Sequence, residues 1–280
     1  MITLQNITVS YRKSSPVLRD VSMVLQDGMI HGILGRNGIG KSTLIKAICG
    51  LLIPDKGNID LNGFDPGLRL PSMLERLFLV PEELDLPGVS IDTLAATTSK
   101  LYPSFSREMF DYNCEELNVP VRRKLSSSSM GERKKAYIAF ALACDTPYLL
   151  LDEPTNGLDI PSKTVFRRLL ASYADMGHTI LISTHQVADL ENLINNVVIL
   201  DERGVAINAS TDEIATRLKF GVLEPGEDPL FSMQSIVGLV GVSENTSGSE
   251  TPVSLELLFN AVTTNRKKVT AIMNSKTDTR

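Results

Sequence analysis

Long apolar runs are missing from this 280-residue chain. Although 42% of its residues are hydrophobic, no run approaches the roughly 20 residues that a bilayer-crossing helix needs. No charged-then-apolar secretory leader precedes the first strand, so a soluble, cytoplasmic protein is expected. Cysteine is scarce: Cys49, Cys114 and Cys144 are isolated and odd in number. They lack C-x-x-C spacing, so buried free thiols are expected rather than disulfides or a zinc site. An excess of positive charge is lacking too. A net charge of −5 argues against non-specific nucleic-acid binding, and no direct nucleic-acid partner is expected. Arg122-Arg123-Lys124 and Arg133-Lys134-Lys135 are local basic clusters, a pattern that usually marks a solvated face. There is no internal repeat.

What the chain does contain is a pair of phosphate-handling patterns. Leu149 to Asp159 reads LLLDEPTNGLD, in which a strand-length apolar run, Tyr148 to Leu151, ends at two adjacent carboxylates. Open α/β sheets place ligands at such carboxyl ends. Asp152 can hold a metal while Glu153 handles water. Taken alone, the pair reads better as an ordinary strand ending before a Pro-containing turn, which is common in any α/β protein. A second pattern narrows the choice. Gly35-Arg36-Asn37-Gly38-Ile39-Gly40-Lys41-Ser42 fits G-x-x-x-x-G-K-[ST] at every specified position. Met29 to Leu34 supplies the preceding strand, and Thr43 to Cys49 supplies a helix that stops at Gly50. Glycines let backbone N–H groups turn towards phosphate oxygens, and the helix N-terminus adds positive potential. Lys41 reaches the β- and γ-phosphates in this scheme, and Ser42 ligates Mg²⁺.

Together with Ser129-Met130-Gly131-Glu132, these patterns make the chain resemble the ATP-binding-cassette (ABC) ATPases from Met1 to about Ser210, with seven family elements in family order. The resemblance implies an α/β fold, a P-loop NTPase with a RecA-like core, an antiparallel β subdomain, a helical signature subdomain and a small C-terminal appendage. It implies ATP and Mg²⁺ as cofactors. ATP would be held by Tyr11, by Gly35 to Thr43, and by Ser129 and Gly131. Tyr11 stands where the family stacks an aromatic on adenine, a contact typically worth ~1–3 kcal/mol; on its own it reads as an edge-strand aromatic. Asp152 would hold the metal with Ser42, Glu153 would polarise the attacking water, and His185 matches the switch histidine. Asp159, in Gly157-Leu158-Asp159, lies in the loop that communicates between two nucleotide sites.

The register of the signature matters. Starting it at Leu125 leaves no glycine, whereas starting one turn later puts Ser129 and Gly131 on the family's serine and second glycine. Met130 then stands in for the first glycine and Glu132 for the glutamine. In this family the signature closes the nucleotide site of another cassette, which implies a dimer with two composite sites, preferably a homodimer. A further departure is Glu82, at the end of Leu77-Phe78-Leu79-Val80-Pro81-Glu82, where the family usually has a metal-contacting glutamine. As a hard anionic donor Glu82 suits Mg²⁺, yet it adds negative charge beside a polyphosphate. A solvated acidic pair with Glu83 is the alternative reading.

The motif order predicts an ATPase domain over residues 1–210, with a helical subdomain at about 83–145 containing helices Asp92 to Lys100 and Ser106 to Glu116. Residues 211–280 form an extension of unassigned role: a helix Thr211 to Phe220, β-containing pieces at Ile236 to Val242 and Ser254 to Val262, and a polar, frayed end from Asn265 to Arg280. The resemblance implies an ATPase subunit of an ABC transporter, driving a separate transmembrane permease from the inner face of the cell membrane, with export preferred to import. A soluble non-transport cassette, in iron–sulfur assembly or translation, is the alternative. Fewer than about 90 residues separate Lys41 from Ser129 with no sustained heptads, which disfavours the long-coiled-coil cassettes.

Overall fold

A computed structural model describes residues 1–11, 15–224, 226–236 and 238–275. In chain order the elements are β1 (Ile2–Val9), β2 (Leu18–Leu25), β3 (Ile30–Leu34), α1 (Lys41–Ile48), β4 (Lys56–Leu61), α2 (Pro71–Leu74), β5 (Leu77–Val80), α3 (Ile91–Thr98), α4 (Arg107–Glu116), α5 (Met130–Ala143), β6 (Tyr148–Asp152), α6 (Ile160–Asp175), β7 (Thr179–Thr184), β8 (Asn196–Asp201), β9 (Gly204–Ser210), α7 (Thr211–Arg217), β10 (Leu218–Val222), β11 (Phe231–Ser235), β12 (Gly238–Glu244) and α8 (Leu255–Asn274). Six strands form the central sheet in the order β5-β6-β7-β3-β8-β9. All neighbours in it are parallel except β8 and β9. The mixed α/β architecture, with its separate antiparallel sheet β2-β1-β4, matches the fold expected from the motifs.

The central strands are apolar along their whole length because both faces of the sheet are covered. On β6, Leu149 and Leu151 enter one core with the helical subdomain, while Tyr148 and Leu150 enter the other with α1 and the antiparallel sheet. That strict alternation is the strand period of two. The helical subdomain is fastened to the sheet by aromatic rings: Phe78 of β5 meets Phe140 of α5 edge-on at 5.7 Å, and Phe105 lies 5.8 Å from the same ring. Helix starts are written locally. Ser90, Ser106, Ser129, Asp159, Ser210 and Ser254 each accept a bond from a backbone N–H three residues on, satisfying donors that the helix leaves open.

The C-terminal region departs from the sequence expectation in three places. The helix from Thr211 ends at Arg217, and Leu218 to Val222 is a strand; Leu218 and Phe220 are buried two residues apart, and that alternation overrides the helical reading. Ser254 to Val262 is helical rather than β. The polar end is ordered as far as Asn274, with one non-helical residue at Asn265, and residues 276–280 lie outside the described residues. Leu255, Leu258, Val262, Val269 and Met273 recur at three, four and seven residues and form a buried stripe, the helical period rather than the strand period. This stripe joins the core that contains Leu190, Ile194, Ile207 and Ile214, so β10, β11, β12 and α8 share packing with the ATPase sheet. The strand expected near Ile236 to Val242 is present as β12, leaving Val237 outside the described residues.

The three cysteines are free and buried. Burial pushes the Cys49 and Cys114 thiols up to about 12, and raises Cys144 as well. At pH 7.5 the native protein is therefore expected to hold about a thousandfold less thiolate at Cys49 than a free cysteine does. Iodoacetamide labelling should be correspondingly slow until guanidinium is added, and equal rates in the two conditions would contradict the burial.

Candidate functional site

The functional side chains collect where β3, β6 and β7 end. Pairing sets this directly: Leu34 of β3 lies opposite Thr184 of β7, and Asp152 of β6 lies opposite Ser183. Gly35, Glu153 and His185, each just beyond its strand, therefore emerge at one edge.

From β3 the chain passes through Gly35 to Gly40 and enters α1. Gly38 and Gly40 adopt φ of 80° and 111°, the left-handed side that side chains disfavour. A Cβ at Gly40 would also come within 2.7 Å of Leu18. Lys41 is only 6% exposed; its ammonium donates to the Gly35 carbonyl at 2.9 Å and lies 3.6 Å from Glu153 Oε1. An ammonium has three donors, and with one on Gly35 and the Glu153 contact beyond hydrogen-bond distance, two remain for ligand oxygens. Ser42 Oγ donates to Asp152 Oδ1 at 3.0 Å, bringing two hard oxygens together at the helix start. Tyr11 reaches over this start, its hydroxyl 3.2 Å from Thr43 Oγ1.

The two carboxylates are 3% and 4% exposed. Asp152 accepts a bond from Ser183 Oγ as well as from Ser42. Glu153 stands at φ 46°, a conformation costing on the order of 1–3 kcal/mol away from glycine. Its N–H is held by the Ser183 carbonyl at 3.1 Å and Ser183 Oγ at 3.2 Å. The carboxylate meets His185 Nδ1 at 2.9 Å and the His185 N–H at 3.3 Å. Glu153 is thus clamped between Lys41 and His185 at the mouth of a cleft of about 460 Å³, a size suited to a small-molecule ligand. Tyr11, Asn37, Gly38, Gly40, Lys41, Ser42, Thr43, Glu82, Glu153 and His185 line it.

Of the remaining expected residues, Arg36 and Ile39 face a neighbouring cleft beside α8, and Gly35 packs beneath the loop against Leu200 and Ile39. Ser129 and Gly131 do not line the nucleotide cleft of their own chain. Ser129 instead caps α5 in a reciprocal box with Glu132; the bond from the Ser129 N–H holds the Glu132 carboxyl below its usual range. Gly131 packs on the inter-site loop, where a Cβ would come within 2.6 Å of the Gly157 carbonyl. Asp159 caps α6, accepting from the Ser162 N–H at 2.9 Å, and the Ser162 side chain together with that N–H lowers the pKa of its carboxyl.

Three contributions were not read from the sequence. Val17 forms part of the cleft wall beside Tyr11. Asn156 and Gln186 form a polar chain: Asn156 Nδ2 donates to Glu82 Oε1 at 3.3 Å, and Gln186 Nε2 donates to Asn156 Oδ1 at 3.2 Å. Lys134, placed within a solvated basic cluster by its sequence, is 2% exposed. The helical turn points it inward where its neighbours Arg133 and Lys135 remain partly exposed. Burial lowers its pKa.

With this geometry established, residues 18–156 match the sequence model of the family described as ABC transporter. An ABC transporter ATP-binding protein of Methanosarcina mazei is 32% identical over 231 residues, covering 76% of this chain and 77% of the relative. The chain belongs to the ABC transporter family. It is an ATP-binding subunit with the cassette's ATPase site. The manganese transport system ATP-binding protein MntA of Synechocystis sp. is 29% identical over 236 residues, covering 79% of this chain and 90% of the relative. A solved structure of an ATP-binding subunit of an ABC transporter superposes with a TM-score of 0.70 at 25% identity, over 76% of this chain and 91% of the other.

Replacing Lys41 removes a charge-assisted donor worth about 1.5–3 kcal/mol. Lys41→Ala is therefore expected to weaken nucleotide binding by at least about tenfold, measured by titration with a fluorescent ATP analogue. Unchanged affinity would refute the phosphate-loop geometry.

Proposed function

We propose that this chain couples ATP hydrolysis to a separate transmembrane permease, by closing as a dimer on ATP and reopening after hydrolysis. The observation that carries the hydrolytic part is the clamped Glu153, buried and aligned by Lys41, His185 and Ser183. A carboxylate so placed orients and polarises a water in line with the γ-phosphate. Tyr11 stacks on the base, the phosphate loop and Lys41 grip the phosphates, and His185 reads the γ-phosphate. Asn37 and Gly38 supply backbone donors within the cleft.

Mg²⁺ fits the donor set. Ser42 Oγ and the Asp152 carboxylate are hard oxygens 3.0 Å apart, with Glu82 on the same cleft wall. Mg²⁺ keeps several waters and takes substrate phosphate oxygens, so it needs few protein ligands. Bound there, Mg²⁺ would neutralise polyphosphate charge; Ser42 and Asp152 would hold it and Glu82 would flank it.

The dimer reading is supported by Ser129 and Gly131, which present the α5 N-terminus away from their own cleft, as a residue pair serving another chain's nucleotide would. A second copy of this chain is the preferred partner because Glu153 and His185 are both present. The permease reading is supported by a groove of about 760 Å³ between α2, β5 and the helical subdomain. Leu51 and Leu101 are exposed on it at 48% and 67%, with Arg69 and Lys100 at its rim and Pro81 in its wall. An apolar-faced helical segment of the permease would fill it and press on the loop that carries Glu82. No helix among the described residues is long and apolar enough to cross a membrane, which suits a permease on another polypeptide. Export is the preferred direction, on the resemblance of the short helical subdomain to exporter cassettes; the chain would then sit on the inner face of the cell membrane.

Glu153→Gln is expected to lower turnover by about 10²–10⁴-fold while giving an ATP-dependent dimer in light scattering. Wild-type turnover in this variant would refute the assignment. Purified from solubilised membranes with ATP and Mg²⁺, the same variant should bring down a multi-span membrane protein, and adding Leu101→Glu should release it. Recovery with soluble assembly or ribosomal proteins instead would favour the non-transport cassette.

A further inference from the structure

The loop carrying Glu82 is held from two sides. On one side Asn156, next to the inter-site loop, donates to the Glu82 carboxylate at 3.3 Å. On the other, Lys134 of α5 donates through Nζ to the Glu82 backbone carbonyl at 2.9 Å and reaches the Pro81 carbonyl at 3.5 Å. Lys134 lies five residues after Ser129, on the helix whose N-terminus is the signature. It is 2% exposed, and among the described residues no ion pair to a carboxylate within 4 Å is formed by its ammonium. A buried charge bonded only to carbonyls is costly unless nearby opposite charge offsets it. That charge is present: Glu82, Asp152 and Glu153 are the carboxylates whose field acts on Lys134.

We propose that Lys134 is a positioning residue that locks the signature helix to the Glu82 loop and supplies the positive charge that lets an anionic Glu82 stand in the nucleotide cleft. This inference rests on the proposed ATPase reading. Two consequences follow from one side chain. Movement of α5, when Ser129 engages nucleotide on another cassette, is transmitted to Glu82 in its own cleft through hydrogen bonds rather than through loose packing. The burden of three acidic groups around one metal–polyphosphate site is also reduced, which answers the charge problem that Glu82 poses.

The test combines a proteolysis measurement with a double-mutant cycle on the full chain. In Lys134→Met, cleavage after Glu82 and Glu83 by a glutamate-specific protease should accelerate by at least about tenfold, while the central strands stay uncut. Unchanged cleavage there would overturn the lock whether or not the protein proves to be an ATPase. For activity, Lys134→Met should lower kcat about tenfold with KM for ATP within about twofold. Adding Glu82→Gln to that variant should restore kcat by at least about threefold, whereas Glu82→Gln alone should not raise it. A cycle in which the two changes simply multiply would overturn the charge role and leave Lys134 as packing. Lys134→Gln, which keeps a donor but loses the charge, separates the two roles if Lys134→Met melts early. It should keep the slow cleavage of the loop yet still need Glu82→Gln for recovery, and its failure to show either would overturn the proposal. An inactive wild type would instead count against the ATPase reading alone.

Discussion

Two adjacent buried carboxylates at the end of one strand are the constraint around which the rest of this molecule is arranged. Asp152 and Glu153 are almost fully removed from water, and unpaired charges there would be strongly destabilising. The structure meets that demand with groups from two elements. Lys41 and Ser42 come from the first turn of α1, and Ser183 and His185 from the end of β7. The parallel registers of β3, β6 and β7 place those groups at one edge, so sheet pairing and active-site electrostatics are one requirement seen from two directions.

The strained backbone at Glu153 follows from the same requirement. Its left-handed φ is stabilised by two bonds from the N–H to Ser183, so the neighbouring strand holds a conformation that the residue itself disfavours. Such strain persists where surrounding structure over-determines it. Here it turns the Glu153 carboxylate towards Lys41 and His185, away from the direction an uninterrupted strand would give it.

A second layer of polar contacts ties the cleft to surfaces that other chains would touch. Gln186 bonds Asn156, Asn156 bonds Glu82, and Lys134 holds the Glu82 backbone from the signature helix. Lys163 extends the chain by bonding both Gln186 and Asp189. Gln186 beside His185, Asn156 beside the Gly157 turn, α5 and the groove wall at Pro81 are thereby joined through hydrogen bonds. Packed cores respond to a local shift as connected bodies, and this network supplies a physical route by which a partner in the groove and a nucleotide in the cleft would influence one another.

The glycine-rich loop, the paired carboxylates after β6 and the strand–loop–helix order around them were legible in the sequence, because their geometry depends on residues close together in the chain. Glycine φ, a strand's apolar run and a helix cap are local properties, and local properties survive in one dimension. The helix start at Ser129 was legible for the same reason: the Ser129 cap and its bond with Glu132 lie within one helical turn. The C-terminal stripe from Leu255 to Met273 was misread because alternation and helical spacing overlap over short stretches, and only burial against β9 and its neighbours separates them. Lys134 shows the limit most clearly. Its sequence neighbours are basic and its composition reads as surface, yet the turn of α5 aims it at two carbonyls from a loop 52 residues earlier. Whether a lysine faces water or closes a buried charge balance is set by what packs against its helix, and only the tertiary structure decided it.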